Sequence, residues 1–392
     1  MNKKIVFIGG GASSLIASIF LKQREPSFGI TIVEKDKKLG KKLSATGGGK
    51  CNIAPLNDDI VMYNNESKML LKSLFRDISM EEYFSLLKEV GIEVKQIKDY
   101  GYYPIHESAP QLVKNLIHRI RKLGIEVIQD EFIDYKAIAK NEIEIELKNS
   151  KISGNCLVLA TGGMNEDIKN MLSKKGYVVS DIYPGLCPTK VKEKVSSLFG
   201  CRFDANINLF YDNKMLYHTY GEVQFKKDAL SGIPLLNCSS VISRNLTKNR
   251  KIEGYEISIG LNPNLANGLM QNIIGQQAKD FLMKCFKEEY VDYLLTKENI
   301  SPETIITKKN QDLILKMVFD NRFKIDSLYD IESAQISVGG FDLNQINENF
   351  MLNNENNIYV VGEMLNVDGF CGGYNLRFAI SSGLKAALSI LK

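Results

Sequence analysis

Lys4-Ile5-Val6-Phe7-Ile8 runs straight into Gly9-Gly10-Gly11-Ala12-Ser13-Ser14, and a second apolar run, Ile30-Thr31-Ile32-Val33, ends in Glu34. This reads as a strand, a glycine turn that opens a helix, and a second strand closed by an acid. Such a unit sets backbone N–H groups at a helix N-terminus against a pyrophosphate and places a carboxylate at the ribose hydroxyls of an adenine dinucleotide. Ser14 occupies the third glycine of the usual G-x-G-x-x-G spacing, where helix and strand pack closely, and is small enough to be tolerated there. Two more glycine-rich stretches have the same flavour. Leu43-Ser44-Ala45-Thr46-Gly47-Gly48-Gly49-Lys50-Cys51-Asn52 is too polar and flexible for a core, and Gly372-Gly373 stands just before a helix beginning near Leu376. Paired glycines at that position point to a backbone that approaches a ligand closely.

The elements that must position these loops are legible in outline. A helix carrying Tyr83, Phe84, Leu86, Leu87 and Val90 exits through Gly91 into Ile92-Glu93-Val94. A second opens with Ser108 and Gln111 in capping-box spacing, buries Leu112, Val113, Leu116, Ile117 and Ile120 at helical period, and exits through Gly124 into Ile125-Glu126-Val127-Ile128. Both are read as αβ units on one sheet. Residues 131–160 alternate like a β-meander, with strands at 132–138, 143–147 and 156–160. The last of these, Cys156 to Ala160, is wholly apolar, as in a strand buried on both faces of a parallel sheet, and empties into Thr161-Gly162-Gly163. A similar buried strand, Ile358 to Val361, leads into Gly362-Glu363. Between them, residues 185–335 change character. Pro184 and Pro188 bracket the entry, strands are expected at 206–211 and 215–225, helical stretches near 264–295 and 301–323, and no glycine-rich nucleotide turn occurs.

Composition narrows the classes. With 392 residues, 44% hydrophobic and 24% charged, the chain is long enough for two or three globular domains. Basic and acidic residues are nearly balanced, 50 against 46, and interspersed, so a nucleic-acid partner is not expected. Seven scattered cysteines without a C-x-x-C pattern fit free thiols in a reducing cytoplasm, and three histidines without ligand spacing argue against a metal centre. No window reaches the roughly 18 apolar residues of a membrane span, and the apolar run before Gly9 is too short for a signal peptide. The Asn237-Cys238-Ser239 and Asn245-Leu246-Thr247 sequons carry no meaning without secretion.

Taken together, the blocks IGGGASSLIA, KLGKKLSATGGGKCN from Lys38, LVLATGG from Leu157, GEVQF with LSGIP from Gly221, and VVGEMLNVDGFCGGYNLRFAISSG from Val360 resemble a bacterial family of two-dinucleotide-binding-type flavoproteins. These are the aminoacetone oxidases or BaiN-like NAD(P)/FAD-dependent oxidoreductases. The resemblance spans nearly the whole chain. It implies an α/β fold with a discontinuous, Rossmann-like FAD-binding domain (parallel sheet plus β-meander) over 1–185 and 335–392. An inserted mixed β/α substrate domain would occupy 186–334, β-rich first and helical second. It also implies FAD on particular residues. Gly9, Gly11, Ser13 and Ser14 would face the pyrophosphate, and Glu34, with Lys35 beside it, the adenosine ribose. Lys42, Gly48, Gly49, Cys51 and Asn52 would run alongside the pyrophosphate and flavin. Ile133 would touch the adenine through its backbone, with Thr161 and Gly162 closing the same side. Gly362 and Glu363 would sit near the ribityl chain, and Gly373, Asn375 and Leu376 would aim the N-terminus of the last helix at the flavin N1/O2 edge, where reduced flavin carries negative charge.

The chain departs from the family pattern at Ser14, at Cys371 where threonine is common, at Lys226-Lys227-Asp228 in place of a Thr-His pair, and after Gly163, where a Ser/Pro/Gly-rich segment is replaced by Met164-Asn165-Glu166 and a helix. A redox disulfide between Cys51 and Cys371 is the sharp reading of those thiols; small residues under tight backbone is the plain one. His118 reads as a surface residue, His218 as a candidate pocket residue, and Tyr102, Tyr103 and Tyr374 as either flavin-facing or core. A single dinucleotide fingerprint leaves two enzymatic routes open. In one, a small amine such as aminoacetone gives hydride to the flavin and oxygen takes it up. In the other, NAD(P)H docks transiently and a conjugated C=C bond is reduced. A non-catalytic, scaffolding or RNA-linked flavoprotein is the third reading. The substrate is expected to be a small molecule, with no membrane involved; the sequence assigns neither a catalytic base nor an oligomeric state.

Overall fold

A computed structural model describes residues 3–139, 141–266 and 272–392. The chain forms two compact units, Met1–Ile182 with Gln335–Lys392, and Tyr183–Ala334.

In the first unit, five parallel strands lie in the order Ile358–Val360, Cys156–Leu159, Lys4–Ile8, Gly29–Glu34, Glu126–Gln129. Ile5 to Ile8 and Cys156 to Leu159 are buried throughout, which is why these runs are continuously apolar. The register sets Ile8 opposite both Val33 and Leu159, and the other neighbour of Leu159 is Val360, so these four strands end at one edge. The first helix, Ala12–Arg24, is buried from Ser13 to Leu21 and packs against the last helix, Tyr374–Ile390. They come close at Gly383, where a Cβ would lie 2.9 Å from the Ser13 carbonyl oxygen. Ser79, Ser108 and Asn165 cap the helices that follow them by accepting from the backbone N–H three residues on.

Two expectations for this unit are corrected. The segment after Gly91 does not join the parallel sheet; Val94–Ile97 pairs antiparallel with Gly101–Pro104 in a separate hairpin. Its Lys95 and Gln96 are exposed, so it could not sit between buried neighbours. The meander is Phe132–Ala139, Glu142–Leu147 and Lys151–Gly154. Its third strand falls where a break was expected, and Cys156–Leu159 belongs only to the parallel sheet.

The second unit is built on a closed antiparallel barrel. The order is Thr189–Val191, Ala229–Ser231, Lys214–Phe225, Arg202–Tyr211, Tyr255–Gly260 and Asn321–Leu328, which pairs back to the first. Its core gathers Leu209, Phe225, Ile257, Tyr290 and Phe323. Helix Ile233–Leu246 and strand Tyr255–Gly260 were not foreseen. The expected helical stretch 301–323 holds the shorter helix Gln311–Phe319 and then the start of a barrel strand. Within the stretch near 264–295, helices occupy Pro263–Ala266, Ala278–Leu282 and Glu288–Lys297, and residues 267–271 lie outside the described residues.

Candidate dinucleotide site

The common edge of the parallel strands is where their connecting loops emerge, the position at which open α/β sheets take ligands. Gly9 leaves its strand with φ +100°, and a Cβ there would lie 2.4 Å from the Ala160 carbonyl oxygen, so only glycine lets the two strand ends meet. Its N–H donates to Val33 O at 2.8 Å. Glu34 braces the turn. Its Oε2 accepts from Gly10 N at 2.7 Å and its Oε1 from Asp36 N at 2.9 Å, while Gly40 N donates to Gly10 O at 2.8 Å. A cleft of about 480 Å³ opens here, lined by Gly9, Glu34, Lys35, Phe132, Thr161, Gly163 and Asn165.

Asp130 also lines this cleft. Burial works to raise its carboxyl, but hydrogen bonds from Glu131 N, Asn149 N, Asn149 Nδ2 and Ser150 Oγ prevail and hold it below the usual range. Ile133 follows Phe132 on the rim, half-exposed, at a point where the strand ladder skips it.

Gly11 ends the turn as the N-cap of the first helix, with no side-chain cap and no atom within 4 Å of where a Cβ would be. The Ser13 side chain is committed to the last helix. The Ser13 hydroxyl donates to Ala379 O at 2.7 Å, and Ser14 is fully buried with its Oγ unpartnered. In the second glycine loop, Gly48 and Gly49 have φ +61° and +88°, again with open space at each Cβ position. Cys51 beyond them is buried, and that burial pushes its thiol up to about 11. Asn52 donates from Nδ2 to Tyr100 O at 2.8 Å, leaving Oδ1 buried and unpartnered. A Cβ on Gly373 would lie 2.6 Å from that oxygen, so the last helix starts directly against Asn52.

Lys42 reaches across to Glu363, with Nζ 2.6 and 2.9 Å from the two carboxylate oxygens, and Ser337 N donates to the same Oε1 at 2.6 Å. Gly162 and Gly163 face this pair, a Cβ on either coming within 4 Å of the carboxylate. Gly362 N donates to Ser382 Oγ at 2.9 Å. The Asn375 side chain is committed to Gly369, accepting from its N–H and donating to its carbonyl, both at 2.8 Å, so it shapes the loop before the helix. Leu376 is half-buried in the first helical turn. Neither Cys51 nor Cys371 is in a disulfide, so the redox-disulfide reading finds no bond between them, and burial pushes the Cys371 thiol up to about 12. His118 and His218 are exposed; His218 Nδ1 lies 2.7 Å from Asn208 Oδ1.

One part of the scaffold escaped sequence reasoning. Arg377, fully buried in the last helix, pairs with Asp58 through Nε and Nη2 at 2.9 and 2.8 Å, donates to Ile78 O at 2.6 Å and to Ser381 Oγ, and lies between the rings of Phe75 and Tyr83. The available signal was an arginine set among the apolar residues Leu376, Phe378 and Ile380.

An adenine dinucleotide suits this donor set. Open backbone at Gly11, Gly48 and Gly49 leaves room for a pyrophosphate, a carboxylate stands at the end of the second strand, and at the cleft the buried Thr161 Oγ1 has no partner within the protein. The five-stranded parallel sheet, the meander and the glycine turn define a dinucleotide-binding flavoprotein of Rossmann type. Residues 3–389 match the model of the HI0933-like protein Rossmann domain, and the chain belongs to that family of FAD-dependent oxidoreductases. It is 22% identical to the 3-dehydro-bile acid delta(4,6)-reductase of Clostridium scindens and 24% identical to the ribosomal RNA dihydrouridine synthase of Haemophilus influenzae, each over 98% of both chains. Among solved structures it is similar to a variant of the quinol fumarate reductase subunit FrdA of E. coli, with a TM-score of 0.50 and 12% identity over 99% of this chain and 70% of that one. Among the described residues, no helix is long and apolar enough to cross a membrane.

Proposed function

We propose that this oxidoreductase reduces a carbon–carbon double bond conjugated to a carbonyl, with NAD(P)H docking transiently as the source of electrons. The observation that carries this reading is what two full-length relatives share in name. A delta(4,6)-reductase of a 3-dehydro bile acid and a dihydrouridine synthase both saturate a C=C bond in conjugation with a C=O. Bound FAD would supply the hydride chemistry. The protein's part is to hold and tune it. Glu34 and the Gly9–Gly11 turn would take the adenosine and pyrophosphate, Gly48 and Gly49 the other flank of the pyrophosphate, and Lys42 with Glu363 the linking chain. The backbone N–H groups that open the last helix would stabilise negative charge on the flavin side.

A small molecule fits the nearly balanced charge of the chain better than a nucleic acid does. The second reading, oxidation of a small amine such as aminoacetone by oxygen, keeps the support of the single glycine fingerprint, because no second nucleotide turn is present in the sequence to receive NAD(P)H. One experiment separates them. Purified protein is mixed anaerobically with NADPH and then with 2-cyclohexen-1-one, a 4-en-3-one steroid or a uridine-containing RNA. Bleaching of the flavin by NADPH and recovery of its colour on adding one of these acceptors supports the reductase. Bleaching by aminoacetone alone, with no response to NADPH, overturns it.

A further inference from the structure

Saturating a conjugated double bond consumes a proton as well as a hydride, and no residue has yet been given that task. We propose that Tyr103 is the acid that delivers this proton to the substrate carbon; the assignment rests on the double-bond reading above. Tyr103 lies in the hairpin strand Gly101–Pro104, where successive side chains face opposite ways. Tyr102 turns inward. Its ring packs 4.6 Å from Phe84, and its backbone is tied on both sides to the segment after Asn52, through Tyr102 N to Ala54 O and Ile53 N to Tyr102 O, each 2.8 Å. Gly101 and Tyr103 therefore share the other face. A Cβ on Gly101 would lie 2.8 Å from Asn52 Oδ1, so this face of the hairpin is the one turned toward Asn52.

Asn52 is also what the start of the last helix abuts at Gly373. The hairpin face that carries Tyr103, the Asn52 amide and the start of the last helix thus come together beside the glycine loop. Tyr103 is half-buried and reachable, unlike Tyr83, whose buried hydroxyl donates to Ile53 O, and Tyr63, whose hydroxyl donates to Tyr374 O.

Burial pushes the Tyr103 phenol above the ordinary tyrosine range, the Cys51 thiol, Glu107 and Tyr100 act in the same direction, and the Asn52 amide opposes them. Glu107 is itself paired with Lys95 at 2.6 Å and Lys50 at 3.9 Å. The phenol therefore keeps its proton through neutral pH, as a general acid must. Hydride from the reduced flavin, itself reduced by a nicotinamide, adds at the carbon β to the carbonyl and breaks the C=C π bond. The displaced electron pair rests on the α-carbon and carbonyl oxygen as an enolate. The Tyr103 O–H bond then breaks, its proton forms the new α C–H bond, and the phenolate recovers a proton from water.

The test uses the full-length, FAD-loaded chain with 2-cyclohexen-1-one as probe. Tyr103→Phe is expected to bind FAD and to be reduced by NADPH as the wild type is, while reoxidation by the enone slows at least about 100-fold. Tyr100→Phe, on the exposed turn of the hairpin, is expected to react at the wild-type rate. An alkaline absorbance titration of wild type against Tyr103→Phe supplies a readout free of turnover, with the difference spectrum showing one phenol that ionises above the ordinary tyrosine value. Enone reoxidation of Tyr103→Phe within about threefold of wild type, or a loss of FAD that accounts for the slower rate, overturns the assignment. A wild type whose reduced flavin no conjugated alkene reoxidises removes the double-bond reading itself, and the assignment with it.

Discussion

Glu34 Oε2 lies 2.7 Å from the backbone nitrogen of Gly10, so the acid at the end of the second strand holds the glycine turn that follows the first. One carboxylate thereby fixes the loop meant for the pyrophosphate and retains lone pairs for ribose hydroxyls. Glu34→Ala should raise the FAD dissociation constant by roughly 10- to 150-fold, the equivalent of one charged hydrogen bond at about 1.5–3 kcal/mol, and should loosen the turn as well. Fluorescence titration of apoprotein with FAD measures this; unchanged affinity would remove Glu34 from the site.

Gly9 and Gly11 separate fold from binding. Gly9→Ala forces a Cβ to 2.4 Å from Ala160 O at φ +100° and should cost roughly 2–5 kcal/mol of stability. Gly11→Ala meets no protein atom within 4 Å, so it should cost no more than about 1 kcal/mol, the difference between glycine and alanine as an N-cap. Its methyl would nevertheless occupy the space proposed for the pyrophosphate and should lower FAD affinity at least about tenfold. Thermal melts of the apoproteins with FAD titrations separate the two effects, and normal FAD binding by Gly11→Ala would count against that placement.

The Arg377–Asp58 pair anchors the helix whose start abuts Asn52. Asp58→Asn leaves a fully buried guanidinium without its countercharge and should destabilise the unit by about 3–5 kcal/mol. Replacing both residues by apolar ones of similar size should restore much of that loss. Urea denaturation compares the variants, and a single variant as stable as wild type would show that Arg377 is satisfied by Ile78, Ser381 and the flanking rings alone.

Asp130 gives the cleft a pH dependence with a definite sign. Its folded carboxyl titrates below the ordinary value of 3.8, so the stabilisation it brings is complete above that value and is lost as the pH falls through the lower folded one. Asp130→Asn should therefore flatten the fall in stability below about pH 4. Melting temperatures across pH 3–6 test this, and parallel curves for the two proteins would contradict it.

The legible parts were those with local signals. The strand Lys4–Ile8, its glycine turn and Glu34 follow one another directly, and the apolar runs Cys156–Leu159 and Ile358–Val360 declare burial on both faces. The side-chain placements at the site were harder to read. Ser13 stands just past the fingerprint's glycines, at the start of the first helix, yet its hydroxyl is taken by the last helix from hundreds of residues away. Asn375 likewise spends its amide on Gly369, a commitment that depends on how the loop folds back. The barrel was illegible as a barrel because its closing pair joins Thr189–Val191 to Asn321–Leu328, and alternation within a strand says nothing of its partner. Val94–Ile97 was misplaced because a short strand after a capped helix looks the same in a hairpin as in a parallel unit until its exposed Lys95 and Gln96 are weighed.

The most direct check on the account is the visible spectrum and flavin stoichiometry of the purified chain, before and after incubation with FAD. Loops from both ends of the first unit, those around Gly11, Gly48 and Gly373, are predicted to hold one non-covalent FAD per chain, with absorbance near 450 nm that diminishes in Glu34→Ala and Gly11→Ala. A protein that remains colourless after reconstitution, or that retains FAD equally well in both variants, would contradict it.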